Sequence, residues 1–132
     1  MNKPQIVCLC GSTRFMETFH EAARIESLKG KIVLTVSDVL TYNKGKDPQL
    51  IDLGRKNMLD ELHMRKIDIS DEILVLNVNG YIGKSTRNEI KYATKLNKTI
   101  TYWEDQVKAC TRFISFIKGL GKYLKGEKNA KR

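Results

Sequence analysis

Short apolar runs alternate with longer amphipathic stretches along the chain. The runs are rich in Val, Ile and Leu and lack polar alternation, which is typical of strands covered on both faces. The predicted strands are Ile6 to Cys10, Lys31 to Val36, Ile73 to Val78 and Thr99 to Trp103. The predicted helices are Phe15 to Lys29, about Gln49 to Ile69, Ser85 to Asn97, and Gln106 to about Leu124, with C-terminal caps expected at Gly30 and Asn97. This β-α repetition predicts an α/β fold, a three-layer α/β/α sandwich around a parallel sheet of four to five strands.

The length of 132 residues gives room for one domain with a real core and little room for a second. We expect a single domain over residues 1–124 and a basic, flexible C-terminal tail over residues 125–132. The long irregular stretch from Ser37 to Pro48 follows the second strand, where ligands of open α/β sheets bind. No apolar run approaches the roughly 20 residues of a membrane span, and no signal-peptide core precedes the first strand. We therefore expect a cytoplasmic protein that does not bind membranes.

The net charge of +9 is concentrated at the C-terminus. From Lys118 onward, six basic residues face Glu127 alone. This end carries one aromatic residue, Tyr123, and no motif of a nucleic-acid reader. Nucleic acid is therefore an unlikely partner on the sequence, and the basic end is interpreted as a solvated tail.

The three cysteines do not form the even-numbered framework of a small secreted domain. Cys8 and Cys10 lie two apart on a predicted strand and so share one face, whereas Cys110 is distant. The two histidines are isolated and supply no ligand at a matching spacing. We expect packed, reduced thiols and predict neither a metal nor a cofactor.

The first strand runs into Gly11, Ser12, Thr13 and Arg14 before a helix. Such a turn permits close backbone approach, and its hydroxyls, N–H groups and guanidinium suit a phosphate. The alternative is a tight turn in which Ser12 or Thr13 caps the helix. We favour an anion site.

A second glycine loop, with Gly83, Lys84, Ser85 and Thr86, joins the third strand to the next helix. It contains Gly-Lys-Ser, but a triphosphate loop needs a glycine where the chain has Val78. An ATPase is therefore disfavoured. A backbone-lined anion site with Ser85 or Thr86 as donor fits this helix start.

Glu89 leads into the apolar stripe formed by Ile90, Ala93 and Leu96. A carboxylate on that stripe points at the sheet, which is costly unless it is paired or used. Thr86 and Glu89 also match a capping box, so the spacing leaves capping and chemistry open. On the preceding helix, His63 sits at the flank of the predicted buried stripe, where either packing or catalysis is possible.

These motifs together resemble the nucleoside 2-deoxyribosyltransferase-like superfamily, including its deoxynucleoside 5′-monophosphate N-glycosidase branch. The resemblance covers Ile6 to Trp103 in order and implies a flavodoxin-like or Rossmann-like sheet. It implies that Glu89 attacks C1′ of a nucleoside or nucleotide and that residues 11–14 line the sugar and phosphate. It also implies a homodimer or larger assembly.

Three positions depart from the pattern of this superfamily. Asn88 stands where an aromatic residue is usual, and Lys91 stands where a glycine is usual. The aspartate that partners the nucleophile falls at or near His63, which could serve as general acid or base. The resemblance therefore implies a glycosidase or transferase with Glu89 and His63 as catalytic residues, or a nucleotide-binding domain that has lost turnover.

Overall fold

The computed structural model describes residues 2–37 and 53–130. Its four strands form one all-parallel sheet in the order β2-β1-β3-β4. The strands are β1 Ile6–Cys10, β2 Ile32–Leu34, β3 Glu72–Val75 and β4 Thr99–Tyr102. The helices are α1 Met16–Leu28, α2 Leu53–Asp68, α3 Lys84–Lys95 and α4 Trp103–Ala130, with 3₁₀ turns at Thr13–Phe15 and Val78–Gly80. The predicted α/β class and parallel sheet are confirmed.

Both faces of the sheet are covered, because the core falls into two clusters on opposite sides of it. Alternate residues of a strand point to opposite faces. Val7 and Leu9 therefore pack with Phe19 of α1 and Trp103 of α4. The second cluster contains Cys8, Cys10, Ile67 of α2, Ile73 and Ala93 of α3. The sequence pattern of strands covered on both faces thus reflects the observed layering.

Two element boundaries differ from the predicted ones, namely the end of β2 and the start of α4. β2 stops at Leu34, and within the described residues it lies at one edge of the sheet and pairs with β1 alone. Beyond β4, α4 begins at Trp103 rather than Gln106, because the Glu104 N–H donates to Asn77 Oδ1 over 3.1 Å. Glu104 Oε1 in turn accepts from the Asn79 N–H at 2.9 Å. This pair of bonds fixes the start of α4 beside the turn that follows β3.

The predicted helix ends are confirmed at two positions, and one side chain is a correction. Gly30 and Asn97 have φ of 83° and 55°, the left-handed conformation of C-terminal caps. Leu96 was expected to face inward, but it follows the last turn of α3 and is 40% exposed. α4 runs through the expected domain boundary at residue 124 as far as Ala130. The irregular stretch predicted after β2 lies outside the described residues, apart from Ser37.

Within residues 2–37 and 53–130, no helix combines the length and apolarity needed to cross a lipid bilayer.

Candidate functional site

A cavity of about 510 Å³ opens at the carboxyl end of β1, between α2 and the start of α3. Its volume lies within the range of about 300–1,000 Å³ that is usual for small-molecule sites. The residues that line it are Gly11, Ser12, Thr13, Val36, Ser37, Lys56, Leu59, Asp60, Leu62, His63, Lys66, Tyr81, Gly83, Lys84, Ser85, Thr86 and Glu89. Eight of the nine residues predicted for the site therefore share one cavity. Arg14 is the exception.

The first loop combines a tight turn with an open, polar edge. A Cβ at Gly11 would lie 3.0 Å from Leu76 Cβ, so the close approach of β1 to β3 requires glycine here. Ser12 is the N-cap of the following turn, since its hydroxyl accepts from the Arg14 N–H at 3.4 Å. The Arg14 guanidinium stacks over the Tyr81 ring at 4.4 Å from its centroid. Capping by Ser12 is thus observed, and Arg14 packs on a residue of the cavity rim.

The first turn of α3 presents backbone N–H groups without a side-chain cap. The N-cap is Gly83, and within the described residues this end of the helix has no side-chain cap hydrogen bond. The capping box, one of the alternatives left open for Thr86 and Glu89, is therefore absent, because the helix starts about one turn before the position that this motif requires. The uncapped N–H groups and the helix dipole favour an anion at this edge of the cavity.

Glu89 lies in the second turn of α3 with its side chain turned into the protein, as the sequence predicted. The side chain is only 13% exposed, and its Oε2 atom has no hydrogen-bond partner among the described residues. Burial raises the pKa of Glu89 to about 7, although His63 opposes this. A carboxyl group with a pKa near neutrality can exist in either protonation state at physiological pH.

His63 lies on the buried face of α2, not on its flank. It is 6% exposed, and with Ile67 and Ser70 it continues a buried stripe at spacings of four and three residues. Leu62, the preceding residue, is 48% exposed. His63 Nε2 lies 3.7 Å from Glu89 Oε1, and the Nδ1 atom is unpartnered within the described ranges.

Two thiols complete the surroundings of the imidazole. Cys10 Sγ lies 3.6 Å and Cys8 Sγ 3.8 Å from His63 Nε2, and both cysteines are free and fully buried. A hydrogen bond from Cys10 lowers the pKa of Cys8, and the same bond with burial raises the pKa of Cys10. Burial alone would lower the pKa of His63, but Cys8 and Glu89 raise it. The structure thus places two thiols, an imidazole and a carboxyl group in one contact network.

Several cavity residues carry charges that the sequence motifs did not single out. Lys56 and Lys66 on α2 and Lys84 on α3 line the cavity. Asp60, one helical turn before His63, lines it too and adds a nearby negative charge to Glu89. Residues three or four apart lie on the same face of a helix. The i, i+3 spacing of Asp60 and His63 was therefore the available sign that both residues face the cavity.

Comparison of the chain with protein-family models and with curated proteins finds no match. The geometry of the site joins a mostly buried carboxyl group, an imidazole nitrogen 3.7 Å from it, and a helix N-terminus without a side-chain cap, a kind of helix end that favours anions.

Proposed function

We propose that the protein cleaves the N-glycosidic bond of a nucleoside 5′-monophosphate or a related nucleotide, with Glu89 as the nucleophile. The observation that carries this proposal is the contact of 3.7 Å between Glu89 and His63 in a cavity bordered by the two loops predicted to bind an anion. The ordered resemblance to nucleoside 2-deoxyribosyltransferase-like proteins adds the glycosyl chemistry. Neither loop by itself would distinguish a nucleotide from another anion.

The reaction would proceed through a glycosyl ester. Ionised Glu89 donates an electron pair to C1′, the C1′–N bond breaks, and its electrons leave with the base, which takes up a proton. Water, or a second base in a transferase, then attacks C1′ and releases the carboxylate. A buried carboxylate is suited to the first step because little water competes with the oxocarbenium-like carbon for it.

His63 is the proposed acid–base group, since its imidazole contacts Glu89 and shares its cavity. A histidine can protonate the leaving base and then accept a proton from the attacking water. Asp60 lies in the same cavity and is the alternative donor. Comparing His63→Gln with Asp60→Asn assigns the role, because only the acid–base residue should alter the pH profile of turnover.

The phosphate would bind at the start of α3 and at the first loop. Ser12, Thr13 and Ser85 offer hydroxyl groups there, and Thr86, a buried residue that also lines the cavity, offers another. Lys84 adds a positive charge at the same helix end. We expect Ser85→Ala to raise KM for a nucleoside monophosphate by about 3- to 10-fold, the worth of one hydrogen bond, and to leave the free nucleoside unaffected.

Release of free base from a panel of nucleosides and nucleoside 5′-monophosphates tests the proposal. Glu89→Ala should lower turnover by about 10⁴-fold, as loss of a catalytic nucleophile does in enzymes of this kind. Glu61→Ala is the matched control, since this glutamate of α2 is 66% exposed and lies outside the cavity lining. Unchanged turnover in folded Glu89→Ala would overturn the proposal.

The second candidate is a nucleotide-binding domain without turnover. The uncapped start of α3 favours it as much as it favours the enzyme. Thermal stabilisation by nucleotides, with no base released, would select this alternative.

We also propose a homo-oligomer, as the resemblance implies. Large apolar side chains on α4 support it, because Phe113, Ile114, Phe116, Ile117 and Leu120 are 47–65% exposed. Light scattering coupled to size exclusion tests this point, and a monomer mass at high concentration would contradict it.

A further inference from the structure

The thiol–imidazole cluster beneath the cavity has the composition of a metal site. Cys8 Sγ, Cys10 Sγ and His63 Nε2 all lie within 4.8 Å of one another. All three residues are buried. Sequence spacing had suggested that these cysteines lack a further ligand, but the chain crossover brings α2 across β1 and supplies it.

The separations of these atoms match the edges of a small coordination polyhedron. Zinc binds sulfur at about 2.3 Å and histidine nitrogen at about 2.0 Å, so tetrahedral ligands stand about 3.3–3.8 Å apart. The two thiol–imidazole distances are 3.6 and 3.8 Å. Both distances therefore fall within the range that tetrahedral zinc ligands require.

An oxygen atom that could serve as the fourth ligand lies near the same imidazole nitrogen. Glu89 Oε1 is 3.7 Å from His63 Nε2, and Oε2 of the same carboxyl group lacks a partner in the described part of the chain. His63 and Glu89 both line the cavity, whereas the cysteines lie behind them. The cavity is thus a path by which an ion reaches the thiols.

We propose that Cys8, Cys10 and His63 bind one Zn²⁺ ion, with the Glu89 carboxylate as the fourth ligand. Two sulfurs with one nitrogen and one oxygen form a donor set suited to zinc, whereas Mg²⁺ and Ca²⁺ prefer oxygen alone. The site goes beyond the proposed glycosidase and does not depend on it. A carboxylate held by the metal could not attack C1′, so the zinc-bound chain would be the inactive form.

Titration of the chelator-treated full chain with Co²⁺, in a non-thiol reductant, tests the site. We expect one equivalent to bind with a thiolate-to-cobalt charge-transfer band in the near ultraviolet, and Zn²⁺ to displace it. In Cys8→Ser/Cys10→Ser the band should vanish and zinc affinity should fall by more than about 100-fold, since even outer-shell changes cost about 10- to 100-fold.

Exposed residues of the same types provide the controls. Cys110→Ser and His20→Gln should keep the band and change zinc affinity by less than about twofold, because Cys110 and His20 are exposed and lie outside the cluster. His63→Gln should keep the thiolate band and weaken binding. If circular dichroism shows that the double variant is unfolded, His63→Gln and the single Cys10→Ser variant replace it. Weaker zinc binding by both would support the site, and unchanged binding by both would contradict it.

Absence of the band in the wild-type chain would overturn the proposal, and so would a band that survives in folded Cys8→Ser/Cys10→Ser. The Glu89→Ala variant distinguishes failure of the zinc proposal from failure of the glycosidase proposal. Glu89→Ala removes turnover but should retain the cobalt–thiolate band, because both sulfurs remain.

Discussion

Replacement of Glu89 by glutamine should stabilise the fold above neutral pH, although most substitutions of partly buried residues destabilise. The Glu89 side chain is 13% exposed, and its Oε2 atom lacks a partner in the described ranges. Burial raises its pKa from the ordinary 4.5 to about 7. Glutamine has nearly the same shape but carries no charge to desolvate. The variant therefore removes an unfavourable term while preserving the packing.

The size and the sign of the effect follow from proton linkage. Between pH 4.5 and 7 the folded chain keeps a proton on Glu89 that the unfolded chain releases. The stabilisation by that proton is complete below pH 4.5 and is lost as the pH rises to about 7. Since one pKa unit corresponds to about 1.4 kcal/mol, the loss amounts to about 3 kcal/mol. Glu89→Gln should therefore gain up to about 3 kcal/mol at pH 8 and close to nothing at pH 4.

Urea unfolding of metal-free protein at pH 4 and pH 8 measures this gain. Glu61→Gln is the control, because its side chain is 66% exposed and the substitution should change the free energy of unfolding by less than about 0.5 kcal/mol. A Glu89→Gln variant that is less stable than the wild type at pH 8 would refute the reasoning, as would a difference that does not vary with pH.

Three further outcomes test other parts of the account. Gly11→Ala should destabilise the fold by about 1–3 kcal/mol in thermal unfolding, because the added Cβ would lie 3.0 Å from Leu76 Cβ. Gly83→Ala should change stability little, since the nearest contact of its Cβ would be at 3.4 Å. Equal effects of the two substitutions would contradict this. Burial would raise the pKa of Glu26, but hydrogen bonds from two lysines, Lys31 among them, leave it lowered, so Glu26→Gln should cost about 2 kcal/mol at pH 7. That cost should disappear as the pH falls below 4.5 through the lowered pKa, and a cost that persists at pH 2–3 would argue against the ion pairs. One equivalent of Zn²⁺ should suppress base release and a chelator should restore it, and full turnover of the zinc-loaded chain would exclude Glu89 as a ligand.

The layers of the fold could be predicted because they depend on local pattern. Apolar runs without alternation marked the strands, and Gly30 and Asn97 marked two helix ends. Element ends that depend on contacts between distant residues could not be predicted. The bond from Glu104 to Asn77 joins the start of α4 to a turn 27 positions earlier, so sequence periodicity gave no sign of it.

The candidate site was predictable to the extent that its residues follow strand ends. The first loop and the start of α3 meet at one edge because parallel strands place their carboxyl ends together. The cluster around His63 was missed for a different reason. Cys10 and His63 are 53 positions apart, and their contact depends on how α2 is rotated about its axis. The apolar side chain of Ile67, four residues after His63, was the local signal for that rotation, and Ile67 is fully buried in the structure.

The proposed reaction requires that Glu89 form a covalent bond to C1′ of the substrate. Acid quenching of a single turnover with a 2-deoxynucleoside 5′-monophosphate, followed by peptide mass spectrometry, tests it directly. We predict a phosphodeoxyribosyl adduct on the peptide that contains Glu89. The adduct should form together with the first equivalent of free base and should be absent in Glu89→Gln. Release of base by folded Glu89→Gln at the wild-type rate, or an adduct on another residue, would contradict it.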